Sequence, residues 1–284
     1  MAAFFLWGVL PIFWKNLSFL APPSIIAHRT VWSLLLLVPI LAFRRELGGM
    51  LRGLSTWQGF GWHLLSGTLL ASNWLLYVWA TLNGRILEGA LGYYLNPFLN
   101  MLFGALFFAE RQNRLQLVAV GVAFAGVACQ FPAVDGVPWV ALVLALSFSL
   151  YAVVRKKAPM GALKGLAAET VILAPIGLLW LIWRGSHGGE VFGGSGSRAA
   201  LLICTGLATA TPLLCFGYAA RTISLTTLGI LQFIGPTIQF IIGWRFYGEE
   251  MNPLRLFSFA LIWAAILLYA ANAWMASGTN KKAA

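Results

Sequence analysis

Four side chains that could hold or move charge, His28, Arg29, Glu88 and Glu169, stand inside long apolar runs of the sequence. A carboxylate stripped of water can take up a proton or pair with a cation. Glu88 and Glu169 are therefore candidates for charge coupling, with a proton as the coupled ion, or for salt bridges to Arg85, Lys164 or Arg29. Arg29 has two readings of its own. It can snorkel to a membrane interface, or it can face an anionic group of a ligand or a gate carboxylate, with His28 beside it. Lys15, four residues after Pro11, invites the same pair of readings.

A second set is uncharged. Tyr93, Asn96 and Asn100 fall at i, i+3 and i+7, one stripe of a helix. Asn73 and Tyr77 share a face at i and i+4, with Trp74 beside Asn73. Amides flanked by aromatic rings can hydrogen-bond and stack on a small ligand. The same groups can also be hydrogen-bond glue between helices, and both readings stand. Thr211 precedes Pro212, which bends its helix near the same level.

Other chemistries find no residues to carry them. There is no Walker A sequence, no HExxH and no GxSxG, so ATP-driven transport, metalloproteolysis and serine hydrolysis have no support. His28, His63 and His187 are far apart, and Cys129, Cys204 and Cys215 form no CxxC, so neither a metal nor a cofactor is expected. The segment from Gly185 to Arg198 reads as a flexible connector, not a phosphate cradle.

The elements that must position these residues are set by composition. The chain has 284 residues, 60% of them hydrophobic and 10% charged, with a mean hydropathy of +0.82. That places it in a bilayer. Ten apolar runs of helix-spanning length can be marked, at about 2–20, 24–43, 59–82, 88–109, 115–131, 137–154, 165–183, 199–220, 224–246 and 256–276. Their continuity excludes the alternation of a membrane β-barrel. The fold class is all-α, with ten transmembrane helices. The first run lacks a basic leader and carries Lys15 near its far end, so it reads as a span rather than a cleaved signal.

The net charge of +11 is spread over short loops and forms no basic domain, so nucleic acid is not a partner. With the N-terminus inside, one set of loops holds Arg44, Arg45, Arg52, Arg111, Arg114, Arg155, Lys156, Lys157, Lys164, Arg221, Lys281 and Lys282. The other set holds only Arg85, Arg184, Arg198, Arg245 and Arg255. The asymmetry predicts an inner-membrane protein in contact with lipid, with both termini cytoplasmic.

The stretch LGYYLNPFLNMLFGALFFAERQNRLQL returns 139 residues later as ILQFIGPTIQFIIGWRFYGEEMNPLRL. That shift lays Pro97 on Pro236, Gly104 on Gly243, Glu110 on Glu249 and Asn113 on Asn252, scarce residues whose coincidence outweighs any match of Leu with Leu. It also carries the stripe of Tyr93, Asn96 and Asn100 onto Gln232, Gly235 and Gln239, with Pro97 and Pro236 as matched hinges. Each copy holds five helices, an odd number, so the second inserts upside down, a recurring plan of secondary transporters. The predicted halves are residues 1–133 and 134–276, followed by a cytoplasmic tail, 277–284. Glu110 and Glu249 stand at helix ends in both copies and read as caps or loop pairs.

The sequence resembles the EamA-type RarD permeases of the drug/metabolite transporter superfamily. The resemblance is carried by His28-Arg29 with Trp32, the run Asn73 to Ala80, Glu88 with Leu91-Gly92-Tyr93 and Asn96-Pro97, Val154 to Lys157, Thr211 to Phe216, and Leu228-Gly229 with Gln232 to Thr237. It covers about residues 28 to 249. It implies ten helices, cytoplasmic termini and a central cavity lined chiefly by the third, fourth, eighth and ninth helices. The expected function is secondary transport, as an exporter, of a small organic molecule by alternating access. The alternatives are a uniporter or exchanger for amino-acid-like metabolites, or a membrane enzyme or scaffold. Substrate-binding candidates are Asn73, Trp74, Tyr77, Tyr93, Asn96, Asn100, Thr211, Gln232 and Gln239. Substrate identity, direction, coupling ion and oligomeric state are open at this stage. The chain begins almost directly in its first apolar run, without the short polar lead that the resemblance implies.

Overall fold

The computed structural model describes residues 1–83, 86–129, 138–192, 194–247 and 253–282, and their regular structure is helix, with no strand among them. The helices are α1 (Ala2–Lys15), α2 (Pro22–Phe43), α3 (Leu47–Leu54), α4 (Trp57–Leu82), α5 (Ile86–Phe108), α6 (Arg114–Ala128), α7 (Trp139–Lys157), α8 (Ala162–Ser186), α9 (Gly196–Thr222), α10 (Leu225–Gln232), α11 (Ile234–Tyr247) and α12 (Pro253–Lys282). In hydrocarbon every backbone donor must find its acceptor within the segment, which long apolar runs achieve only as helix. Five described helical segments, 22–43, 91–108, 139–157, 162–186 and 196–222, are long and apolar enough to cross a membrane, and shorter apolar helices accompany them.

Local sequence sets the boundaries. Pro22 and Pro23 open α2, where a missing N–H costs nothing. Thr56 caps α4 and Ser224 caps α10, each accepting from a backbone N–H three residues on. Asn113 and Gln116 form a reciprocal capping box at α6.

Two features depart from the marked runs. The ninth run is divided, because α10 ends at Gln232 and α11 begins at Ile234. Pro236 has no N–H to return to the Gln232 carbonyl, so the helical ladder loses its bond there. Pro97 loses the equivalent bond inside an α5 that stays continuous. The second feature is α3, which is too short to register as a span. Its Leu47, Met50, Leu51 and Leu54 recur at helical spacing, Met50 is buried, and the exposed Arg52 lies in its last turn.

The main packing pairs are α5 with α7, α6 with α12, α2 with α8 and α9, α4 with α7 and α8, α5 with α10, and α1 with α9 and α11. One core gathers Phe4, Phe148, Tyr151 and Phe216, with the Tyr151 and Phe216 rings stacked at 5.8 Å. A second joins Tyr94 and Phe259 across α5 and α12. Close backbone approach needs glycine at two crossings. A Cβ at Gly229 would lie 2.8 Å from the Pro97 carbonyl oxygen, and one at Gly92 would lie 2.9 Å from Leu144 Cβ. Large side chains such as Leu106, Ile182 and Leu267 are exposed around the outside, as a lipid-facing surface requires.

Candidate functional site

Arg29 lies two turns into α2, and its guanidinium faces other helices of the bundle. Its Cζ sits 4.5 Å from the Trp14 ring centroid on α1 and 4.1 Å from that of Trp74 on α4. Its Nε–H donates to Thr209 Oγ1 on α9 at 2.9 Å. Two cation–π contacts and a hydroxyl thus hold the ion. Lys15, whose readings matched those of Arg29, has a side chain outside those described.

The neighbouring His28 is buried and fully engaged. The Trp32 indole N–H can only donate, so His28 Nδ1 accepts it at 3.2 Å. His28 Nε2–H therefore donates to the Val191 carbonyl at 2.8 Å, and the ring meets Phe192 at 5.3 Å. The connector expected to be flexible is thus pinned onto α2 at Val191 and Phe192.

Behind this cage, Asn73 donates to the Leu144 carbonyl and to Ser147 Oγ on α7, both at 2.9 Å. Its Oδ1 accepts from the Tyr93 hydroxyl at 3.4 Å, and the Tyr93 ring stands 5.4 Å from that of Tyr77. A narrow cavity runs from Trp74 and Thr209 past Thr30 and Ser33 to Glu169 and Thr170. It is lined from α2, α4, α8 and α9. Of these, α4 and α9 correspond to the third and eighth marked runs and α2 and α8 to the second and seventh.

At the far end of the cavity Glu169 is paired with Arg155 at 3.1 Å, each side chain 1% exposed. Ser66 Oγ donates to Glu169 Oε1 at 2.6 Å and the Tyr151 hydroxyl to Oε2 at 3.3 Å. Arg155 also donates to the Ala162 carbonyl, and Arg221 clamps the α7–α8 turn through the carbonyls of Ala158 and Met160. This corrects two expectations. The partner of Glu169 is Arg155 rather than Lys164 or Arg29, and Arg155 is a buried helical residue rather than a loop charge. Lys164 instead faces Glu46 at 3.7 Å. His63 is fully buried beside this pair, and neither ring nitrogen has a hydrogen-bond partner among the described residues.

Residues 1–131 match the EamA-like transporter family. Over 96% of its length the chain is 40% identical to an uncharacterized transporter of Pseudomonas aeruginosa, covering 92% of that protein. It is 39% identical to the protein RarD of Streptomyces exfoliatus, with 94% of this chain and 85% of the other covered. Against the protein RarD of Escherichia coli it is 36% identical, with coverage of 96% and 93%. The chain belongs to the RarD permeases of the EamA-like family. A solved protein structure shares the fold at a TM-score of 0.72 and 17% identity, covering 96% of this chain and 95% of that one.

In this RarD-type permease the polar stripe of α5 meets α10. Asn100 Nδ2 donates to Gln232 Oε1 across that interface, with both residues buried. Asn96 is buried nearby, and its backbone carbonyl accepts from Ser149. Gln239 is exposed on α11 and donates to the Trp7 carbonyl at 3.2 Å. Thr211 is half-buried on α9. The structure therefore lines one cavity with Trp74, Thr209 and Glu169, sets Arg29 against Trp74 and Thr209, keeps Asn100 and Gln232 in a helix contact, and sets Gln239 apart. Glu88 has a side chain outside those described, and Arg85 and Glu249 lie outside the described residues.

Trp14, Thr209 and Tyr151 were not singled out in sequence, since each gains its partner, Arg29 or Glu169, from another helix. Glu110 does cap, but at a distant helix. Its carboxylate accepts from the Leu225 N–H at 2.8 Å and the Thr226 N–H at 3.0 Å, where the dipole of α10 favours negative charge. Lys156 approaches it at 3.4 Å.

Proposed function

We propose that this permease is a secondary transporter exporting small organic molecules by alternating access of two inverted five-helix halves, residues 1–133 and 134–276. The observation that carries the reading is the agreement of the helix order with the sequence repeat. The start of α4 at Trp57 maps onto Gly196, 139 residues on, which opens α9, and the same shift lays α5 over α10 and α11 and α6 over α12.

Packing supports the same reading. Under the shift, α5 with α7 becomes α11 with α1, α4 with α7 becomes α9 with α1, and α2 with α9 becomes α8 with α4. The contacts of α2 with α8, α5 with α10 and α6 with α12 map onto themselves. Two halves joined through self-related contacts can exchange roles about a midplane cavity. The break before Pro236 supplies one hinge, and Pro97 is its mate. The excess of Lys and Arg in alternate loops supports an inner-membrane location with both termini cytoplasmic. A relative in Pseudomonas aeruginosa, 31% identical over 94% of this chain, is named a chloramphenicol-sensitive protein RarD, which agrees with a drug- or metabolite-like cargo. Proton coupling is assigned in this reading to Glu169, supported by its position on the cavity wall and its two bound hydroxyls.

The test is accessibility in proteoliposomes. Single cysteines at the two mouths of the cavity should gain and lose labelling in opposition as ligand or pH is changed. A protein that stays open to one side under every condition overturns the proposal.

A further inference from the structure

We infer that the Arg29 cage recognises the carboxylate of a small organic monoanion, and that this anion is the cargo, which rests on the transport reading above. The guanidinium carbon lies 4.5 Å from the Trp14 ring centroid and 4.1 Å from that of Trp74. Its Nε–H is committed to Thr209. The two terminal nitrogens, the remaining edge of the ion, have no hydrogen-bond partner among the described residues, and the described carboxylates that form ion pairs are taken elsewhere. Glu46 pairs with Arg44 and Lys164, Glu110 with Lys156, and Glu169 with Arg155. With no carboxylate partner among the described residues, Arg29 is a costly cation inside a helical bundle, and a fork of two parallel N–H groups matches a planar carboxylate edge to edge.

The surroundings select the class further. A phosphate dianion calls for a second cation, and the charged groups described nearby are committed. Arg155 serves Glu169, Arg221 serves backbone carbonyls, and both ring nitrogens of His28 are engaged. One free edge with one positive charge fits one carboxylate. The indole of Trp74 offers an apolar wall to the body of the same ligand, with the Tyr77 ring about one turn further along α4 and the Tyr93 ring packed on it from α5.

The experiment uses the full chain in phosphatidylcholine nanodiscs and calorimetric titration with matched pairs: benzoate and benzamide, indole-3-acetate and indole-3-acetamide, hexanoate and hexanamide. At least one carboxylate should bind about tenfold or more tightly than its amide, the scale of a charge-assisted bidentate contact. Arg29→Gln should erase that preference. Arg29→Lys keeps the charge without the fork and should weaken the carboxylate about tenfold. Equal binding of acid and amide in every pair, no binding by any acid, or a preference surviving Arg29→Gln overturns the inference. If Arg29→Gln fails to insert, unchanged carboxylate affinity in Arg29→Lys does so instead. Nanodiscs containing phosphatidylglycerol separate the two anion sources, since loss of carboxylate binding there assigns the edge to a lipid headgroup and sinks the cargo assignment. Opposed cysteine labelling without carboxylate preference removes only the ligand class, while carboxylate binding without opposed labelling removes the transport reading.

Discussion

Glu169 Oε1 lies 3.1 Å from Arg155 Nη1, and water reaches neither side chain. The pair is held from both ends, by Ser66 and Tyr151 on the acid and by the Ala162 carbonyl on the base. Removing one partner strands the other charge in a dry site, which costs about 3–5 kcal/mol. Glu169→Gln and Arg155→Met should therefore each lower the melting temperature sharply. The double substitution should lose less than the two singles added together. Additive losses in a thermal double-mutant cycle would show that the two charges do not stabilise one another.

The contact between Asn100 and Gln232 is the uncharged counterpart, joining α5 to α10 at the centre of the repeat. Hydrogen bonds between membrane helices contribute on the order of 1 kcal/mol in such cycles. Asn100→Leu and Gln232→Leu should each destabilise the protein, with a coupling of about that size. If Asn100→Leu leaves stability intact and abolishes binding of a ligand, the pair belongs to the cavity rather than to the interface.

These two pairs mark what the sequence could and could not convey. The positions of Tyr93, Asn96 and Asn100 on one stripe follow from helical spacing. The neighbour that the stripe meets does not, because a helix apolar on all sides carries no signal of which face is covered. Arg29 and Trp74 stood out as unusual residues at membrane depth, whereas Trp14 and Thr209 complete the cage from α1 and α9 and look ordinary in their own runs. Arg155 was masked by its neighbours Lys156 and Lys157, a charge cluster that reads as a loop although the helix continues through it. The division of helices departs from the marked runs at α3, whose eight residues fall below any span-length window, and at the break between α10 and α11.

Glu110 ties the end of α5 to the start of α10. The backbone at Ala109 takes a left-handed φ of 52°, and the carboxylate then accepts from Leu225, Thr226 and the Thr226 hydroxyl. Glu110→Ala removes these acceptors and the charge that complements the dipole of α10, at a cost of about 1–2 kcal/mol. Amide exchange at Leu225 and Thr226 should accelerate in this variant while that of α2 stays unchanged. Unaltered protection at both amides would mean that water or another group caps α10.

The link from His28 to Val191 is the means by which a glycine-rich connector is held over the cage. Gly188 has a left-handed φ of 72°, and composition alone would leave this segment free. Its restraint comes from the carbonyl of Val191 on His28 Nε2 and the Phe192 ring against the imidazole. His28→Ala removes both contacts and also the acceptor of the Trp32 indole. Limited proteolysis and amide exchange over residues 187–192 should both accelerate. His28→Gln, which can still donate to Val191, should restore part of the protection. A connector equally protected in His28→Ala would show that the ring does not hold it, and that its order comes from the ends of α8 and α9.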